Sequence, residues 1–229
     1  MRFETPLTAG ILVRRYKRFL ADVTIDGRAE TAHCANPGSM LGLAEPGSRI
    51  WLSTSSKPSR KLRLSWELIE SAGGLVGINT GYANRLAEEA LRAGRIEALT
   101  GYGSLRREVA YGDGSRVDFL LEDTGRPPCY VEVKSVTLKR GETAEFPDAV
   151  TARGTRHLRE LIAMRQAGFR AVMLFLAQRG DCRRLTIAAD IDPAYDAALA
   201  WARQAGVEMM AYACDVDPSG IELAGKLAF

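Results

Sequence analysis

The sequence predicts two domains: a small all-β barrel over residues 1–80, then an α/β domain over residues 81–229 whose mixed sheet is flanked by helices. Three observations lead there. The first 80 residues hold about five short runs of alternating apolar and polar side chains, separated by Gly and Pro turns. Around Thr80 the period changes from two to that of a helix, and from Cys129 to Gln178 the order reads strand, helix, strand.

Composition sets the outer bounds. The chain has 229 residues, 46% hydrophobic and 26% charged, ordinary for a globular protein and unlike a disordered or fibrous one. No apolar run approaches the roughly 20 residues that span a bilayer. Residues 1–10 lack the basic and then apolar order of an export signal, so no membrane partner and a cytoplasmic location are expected. Cys34, Cys129, Cys182 and Cys214 lie far apart without Cys-x-x-Cys spacing and read as reduced, buried thiols. The net charge of +3 is unevenly placed: residues 1–80 hold 11 Lys and Arg against 7 Asp and Glu, and residues 81–229 hold 20 against 21.

In the barrel, strands are expected at 11–15, 19–25, 28–34, 48–53 and 62–69, with turns at Asp26-Gly27, Pro37-Gly38 and Pro46-Gly47. So many strands in so short a stretch fit an OB-fold-like barrel, the commonest such design that binds oligonucleotides; an SH3-like barrel is the alternative. Two basic clusters sit here: Arg14, Arg15, Lys17 and Arg18 around Tyr16 and Phe19, and Lys57, Arg60, Lys61 and Arg63. Cations interleaved with aromatics suit a nucleic-acid groove, where phosphates meet charge and bases stack on rings. A solvated face would read the same. The loop Asn36-Pro37-Gly38-Ser39-Met40 is rich in turn formers and reads as structural, with backbone donors for a phosphate as the alternative.

Beyond Thr80, Asn84 reads as the N-cap of a helix over 85–93 that ends at Gly94. Its apolar stripe of Leu86, Ala90 and Ala93 is bordered by both Glu88 and Glu89, and spacing does not choose between them. A strand at 105–111 follows, and then the stretch from Arg116 to Lys134. Val117, Phe119 and Leu121 alternate with Arg116, Asp118 and Leu120; Val131 and Val133 alternate with Glu132 and Lys134. A hairpin symmetric about Gly125 sets residue 118 opposite 132. Folding about Asp113 sets Glu108 opposite Asp118. Like charges facing each other across a sheet destabilise it, so a row of Glu108, Asp118 and Glu132 calls for a divalent cation such as Mg²⁺, which takes carboxylate oxygens.

After this hairpin the sequence predicts a polar loop over 137–148 and a long helix over 149–166, on which Arg153 and His157 share a face near the carboxylate strands. The continuous apolar run in 170–178 reads as a strand buried on both faces and parallel to its neighbour. A helix over 193–204, capped by Asp192, and a strand over 207–213 complete the chain. Gly-x-x-x-x-Gly-Lys-Ser/Thr, Gly-x-Gly-x-x-Gly and Gly-x-Ser-x-Gly motifs are absent, which removes the usual support for nucleotide hydrolysis, dinucleotide redox chemistry and serine hydrolysis.

Helix, strand with Asp118, strand with Glu132-Val133-Lys134, helix: over 84–178 this order resembles the PD-(D/E)xK nuclease superfamily, with Val117 where proline often precedes the Asp. The phrases Arg-Tyr-Lys-Arg-Phe-Leu-Ala-Asp-Val (15–23), Cys-Ala-Asn-Pro-Gly-Ser-Met (34–40), Ser-Arg-Val-Asp-Phe-Leu-Leu (115–121), Tyr-Val-Glu-Val-Lys-Ser-Val-Thr-Leu (130–138) and Phe-Pro-Asp-Ala-Val-Thr-Ala-Arg-Gly-Thr-Arg-His-Leu-Arg-Glu-Leu (146–161) go further. Together they resemble the sugar fermentation stimulation protein A family over nearly the full length.

The resemblance implies a DNA-binding protein with an OB-like and a PD-(D/E)xK nuclease-like domain. It also selects Glu89 over Glu88. Asp118, Glu132 and the Val133 carbonyl would hold Mg²⁺ or Mn²⁺, with Glu89 or Glu108 completing the shell, and Lys134 would orient the attacking water. Arg116, Arg153 and His157 would clamp neighbouring phosphates. Two readings follow, a metal-dependent nuclease and a non-catalytic DNA-binding regulatory protein linked to sugar metabolism. DNA against RNA, and monomer against homodimer, stay open.

Overall fold

The computed structural model describes residues 1–71, 73–112 and 114–229. Six strands open the chain: β1 (Thr8–Tyr16), β2 (Leu20–Ile25), β3 (Arg28–Cys34), β4 (Arg49–Thr54), β5 (Leu64–Ser71) and β6 (Gly74–Gly77). Their order is β3-β2-β1-β4-β5-β6, and a parallel pairing of Ala32 with Leu64 and Cys34 with Trp66 joins β3 to β5. That pairing closes a five-stranded OB barrel, which leaves few free edges. Asp26 and Gly27, at φ 48° and 77°, form the two-residue turn between paired Ile25 and Arg28, as an Asp-Gly dipeptide predisposes. Period-two side chains fill the interior: Leu12, Val23, Ile50, Leu52 and Trp66 are at most 1% exposed.

The second part starts with α1 (Tyr82–Arg92) and a 3₁₀ turn, Glu97–Leu99. Strands β7 (Ser104–Tyr111), β8 (Ser115–Asp123) and β9 (Arg126–Val136) form an antiparallel meander. Then come β10 (Leu138–Arg140), β11 (Thr143–Phe146), α2 (Ala152–Gln166), β12 (Arg170–Ala177), β13 (Arg184–Ile187), α3 (Pro193–Gln204), β14 (Glu208–Asp217) and β15 (Gly220–Lys226). The large sheet has the order β15-β14-β12-β9-β8-β7, with β9, β12 and β14 mutually parallel.

Helices cover both faces of this sheet, which explains the unbroken apolar run of β12. Val172, Leu174 and Leu176 pack toward Leu86 and Ala90 of α1, whereas Met173, Phe175 and Ala177 pack toward Leu158 and Leu161 of α2 and Leu199 of α3. All six β12 side chains are 0% exposed. At about 1.5–3 kcal/mol for each large one, they anchor the domain. Met1, Trp51 and Leu68 belong to the α1-side core, so the barrel is seated on the α/β part.

Four expectations need correction. The stretch over 137–148 is not a loop: β10 and β11 form a hairpin that joins β13 in a separate three-stranded sheet. β13 and β15 are further strands; β13 has only four residues, and Gly220 and Gly225 dilute the signal of β15. α1 begins at Tyr82 after Gly81, not at 85, so Asn84 lies inside it. α2 begins at Ala152, because the Thr151 side chain accepts from the Gly154 N–H at 3.1 Å and caps it there. The expected pivot at Asp113 lies outside the described residues.

Candidate active site at the carboxyl end of β9

Away from its turn the hairpin keeps the register that symmetry about Gly125 gives, although a bulge between Leu121 and Asp123 pairs Asp123 with Arg126 at the turn itself. Phe119 pairs with Val131 and Leu121 with Cys129, so the next position sets Asp118 against Glu132. On the other side, Arg107 faces Phe119 and Val109 faces Val117, which brackets Glu108 opposite Asp118. The three side chains still do not form a row. Glu108 has φ 51°, breaking the alternation of β7, and its side chain is exposed while its carbonyl accepts from Arg116 Nη1 at 2.9 Å.

Asp118 and Glu132 are held by different elements. Asp118 Oδ1 accepts from the Asn84 amide at 2.6 Å and Oδ2 from the Val133 N–H at 2.7 Å. Burial, and then the charge of Glu132, push its pKa up to about 6 despite those hydrogen bonds. Glu132 is 2% exposed. Its Oε1 accepts from Lys134 Nζ at 2.8 Å and meets His157 Nδ1. Burial would raise the Glu132 pKa, but the hydrogen bond from His157 and the charge and hydrogen bond of Lys134 outweigh it and hold the group below the usual range.

Arg153 fixes the tautomer of His157. A guanidinium only donates, so the 3.2 Å contact from Arg153 Nε makes His157 Nε2 the acceptor and leaves the ring proton on Nδ1, facing Glu132. Lys134 Nζ, 3.2 Å from that Nδ1, therefore shares the carboxylate oxygen with it rather than bonding to the ring.

Glu132 Oε2 is left buried with no hydrogen-bond partner. An orphaned carboxylate oxygen beside a second carboxylate fits a hard divalent cation, and Mg²⁺ is commonly held by one or two carboxylates with waters filling the rest of its shell. Among the described residues no group of three or more His, Cys, Asp or Glu side chains is arranged to hold a metal ion.

These groups face a cavity of about 440 Å³ between the barrel and the α/β part. Its walls include Asn36, Pro37 and Gly38 from the barrel, Asn84 from α1, and Asp148, Thr151, Arg153 and His157 from the start of α2. The barrel loop is fastened there. Met40 N–H donates to Asp148 Oδ2 at 2.9 Å, Ser39 Oγ donates to the Asp148 carbonyl, and Asn36 Nδ2 donates to the Ile78 carbonyl at 2.9 Å. At Gly38 an added Cβ would stand 2.5 Å from the Asp148 carboxylate, so a side chain there would have to push that carboxylate off the Met40 N–H.

The other expected residues lie elsewhere. Glu89 is half exposed and pairs with the Met1 amino group at 2.8 Å and Arg85 Nε at 3.2 Å; Glu88 pairs with Arg92 and Arg107. The polar α1 residue at the cavity is Asn84, which the sequence pattern assigns to capping. Arg116 is exposed and bound to the Glu108 carbonyl.

In the barrel, Arg15 is internal stitching: its guanidinium donates to the carbonyls of Asn36 and Gly38, both at 2.8 Å, and of Arg18 and Ser39, both at 3.2 Å. Arg14 pairs with Asp22 at 2.8 Å. Lys17 and Arg18 are exposed on the β1–β2 loop, and Lys57, Arg60, Lys61 and Arg63 on the β4–β5 loop, the two loops with which OB folds grip oligonucleotides.

Residues 13–78 match the family model described as the SfsA N-terminal OB domain, and residues 81–220 match the sugar fermentation stimulation protein RE domain. The chain belongs to the sugar fermentation stimulation protein (SfsA) family. A homolog from Rhodospirillum centenum is 58% identical over 223 residues, covering 96% of each chain. Another, from Paramagnetospirillum magneticum, is 55% identical over 228 residues, covering 99% of this chain and 97% of its own. The structure of Pyrococcus furiosus SfsA in complex with Ca²⁺ superposes over 100% of this chain and 97% of its own, at 30% identity and a TM-score of 0.91.

Proposed function

We propose that the chain is a DNA-binding, divalent-metal-dependent nuclease that hydrolyses phosphodiester bonds at the Asp118–Glu132–Lys134 site. The observation that carries the reading is the buried, partnerless Glu132 Oε2 beside Asp118, in a cavity that Arg153 also lines. The Ca²⁺ carried by the family member from Pyrococcus furiosus supports a divalent ion. Asp118, Glu132 and the Val133 carbonyl would hold Mg²⁺ or Mn²⁺. When bound, the ion supplies Lewis acidity to the scissile phosphate and lowers the pKa of water.

The chain's own groups do the rest. His157, oriented by Arg153, keeps Glu132 in place through Nδ1–H. Lys134 Nζ has three donors and gives one to Glu132, so it retains others for the attacking water and for charge developing on the phosphate. Exposed Arg153 and the first amides of α2 meet the neighbouring phosphate, since a helix N-terminus favours anions. In this proposal Glu89 and Glu108 stay outside the ion's shell.

A second reading, a non-catalytic DNA-binding regulatory protein, is favoured by the way Lys134 already pairs with Glu132 at 2.8 Å. Labelled single-stranded, duplex and branched DNA, and RNA, incubated with Mg²⁺, Mn²⁺ or EDTA, separate the two. The nuclease reading expects metal-dependent cleavage that falls by about 100-fold or more in Asp118→Ala and in Lys134→Ala. Intact binding with no cleavage of any substrate in either metal would establish the second reading instead.

A further inference from the structure

We infer that the site takes an unpaired DNA strand rather than an intact duplex, with one base stacked on the Phe19–His33 pair beside the cavity. This rests on the nuclease reading for the position of the scissile phosphate. Two independent observations carry it.

The first is the burial of the site. Glu132 is 2% exposed and the Lys134 side chain 13%, so a phosphate reaches them only by entering the cavity. One wall of that cavity is the barrel loop at 36–38, pinned by Arg15, Asn36 and Asp148, and Val150, 75% exposed, also lines it. A duplex presents its phosphates on a stiff cylinder and cannot follow the wall inward. A single strand can, because its backbone splays.

The second is an aromatic pair that the proposed mechanism does not use. Phe19, on the β1–β2 loop, is 44% exposed, and its ring lies parallel to that of His33 at an interplanar angle of 12°, centroids 6.4 Å apart. A large exposed ring held in a fixed orientation and flanked by exposed Lys17 and Arg18 is how proteins receive successive bases of a single strand: rings take the bases, cations the backbone. The pair is tied to the site. The Phe19 carbonyl accepts the Cys34 N–H at 2.9 Å, and Arg15 joins the Arg18 carbonyl to those of Asn36 and Gly38. Asn36 in the cavity wall is three positions along the chain from His33, a reach of about 10 Å at full extension.

The test is fluorescence anisotropy in EDTA with a labelled oligonucleotide and the duplex of the same sequence, so that binding is read without cleavage. The wild-type protein should hold the single strand more tightly. Phe19→Ala and Phe19→Leu should each weaken that binding by about 5-fold or more, since leucine keeps the apolar bulk but has no ring, while Phe19→Trp restores it. Duplex binding should not respond. Equal affinity for the two DNA forms, or no change in Phe19→Ala, would overturn the inference. A parallel arm with Mg²⁺ separates the two claims: faster cleavage of duplex than of single strand sinks the inference and leaves the nuclease. A Phe19-dependent preference for single strands without any cleavage sinks the nuclease and supports the platform.

Discussion

The barrel and the β8–β9 hairpin both carry conspicuous charges, and the structure treats them in opposite ways. In the barrel, neighbours in one basic run have unrelated fates: Arg15 is consumed by four backbone carbonyls, Arg14 by Asp22, and Lys17 and Arg18 face solvent. In the hairpin, Asp118, Glu132 and Lys134 converge on one cavity. The difference is burial. A charge on a solvated strand is tolerated with any partner or none, so its residue type says little about its task. A charge inside a helix-covered sheet persists only if it is paired, hydrogen-bonded or bound to an ion.

The most severe way to break that contrast is to remove the hub of the buried network. Glu132→Ala leaves His157 Nδ1–H without its acceptor and Lys134 without its counter-ion, and breaking a buried pair typically costs about 3–5 kcal/mol. Thermal or urea unfolding should show a loss near the lower end, because Lys134 can turn outward and Asp118 gains from losing a like charge. Glu132→Gln, which keeps an acceptor for His157, should unfold close to wild type and yet fail to cleave. Stability of both variants equal to that of the wild type would mean that the network contributes nothing.

The next effect is a pH dependence of opposite sign from most carboxylates. Asp118 has its folded pKa raised from 3.8 to about 6, so it binds its proton more tightly folded than unfolded. Its contribution to stability is complete below the unfolded value and is lost as pH rises through about 6. In EDTA, Asp118→Asn should abolish a decline on the order of 2 kcal/mol across that window. Glu132, held below its usual value, acts at lower pH and with the reverse sign: its contribution is lost as the solution becomes more acidic. Added Mg²⁺ should remove the Asp118 decline in the wild-type protein by favouring the ionised form. A decline that Asp118→Asn leaves intact would assign it to other groups.

How much of this was legible follows from the same distinction. The hairpin register beyond the turn could be read because the alternation of both strands fixes it, while the bulge that pairs Asp123 with Arg126 left no mark in the pattern; Asp118, Glu132 and Lys134 stood out as charges in an apolar alternation. Asn84 could not be read: an amide near the start of a helix looks like a cap, and only the start at Tyr82 places it inside α1, facing Asp118. Glu108 was misjudged because register says which residue is opposite but not that a positive φ turns its side chain away. The partners of Arg15 are main-chain carbonyls, which every residue possesses, so no side-chain pattern announces them. β10 and β11 are three and four residues long, too short for period two to rise above a polar loop.

The smallest effect sharpens the comparison inside the barrel itself, between Arg15 and Lys61. Arg15→Ala removes four charge-assisted hydrogen bonds from a half-buried guanidinium and frees the wall of the cavity. It should lower stability by about 1–2 kcal/mol and impair cleavage, while the slope of log K against log[salt] for DNA stays as it was, because no phosphate contact is lost. Lys61→Ala should do the reverse. Its side chain is exposed on the β4–β5 loop, so unfolding should be unchanged and the salt slope should fall by about one contact. If Arg15→Ala reduces the salt slope as Lys61→Ala does, Arg15 touches DNA after all, and the carbonyls it holds are only its resting partners.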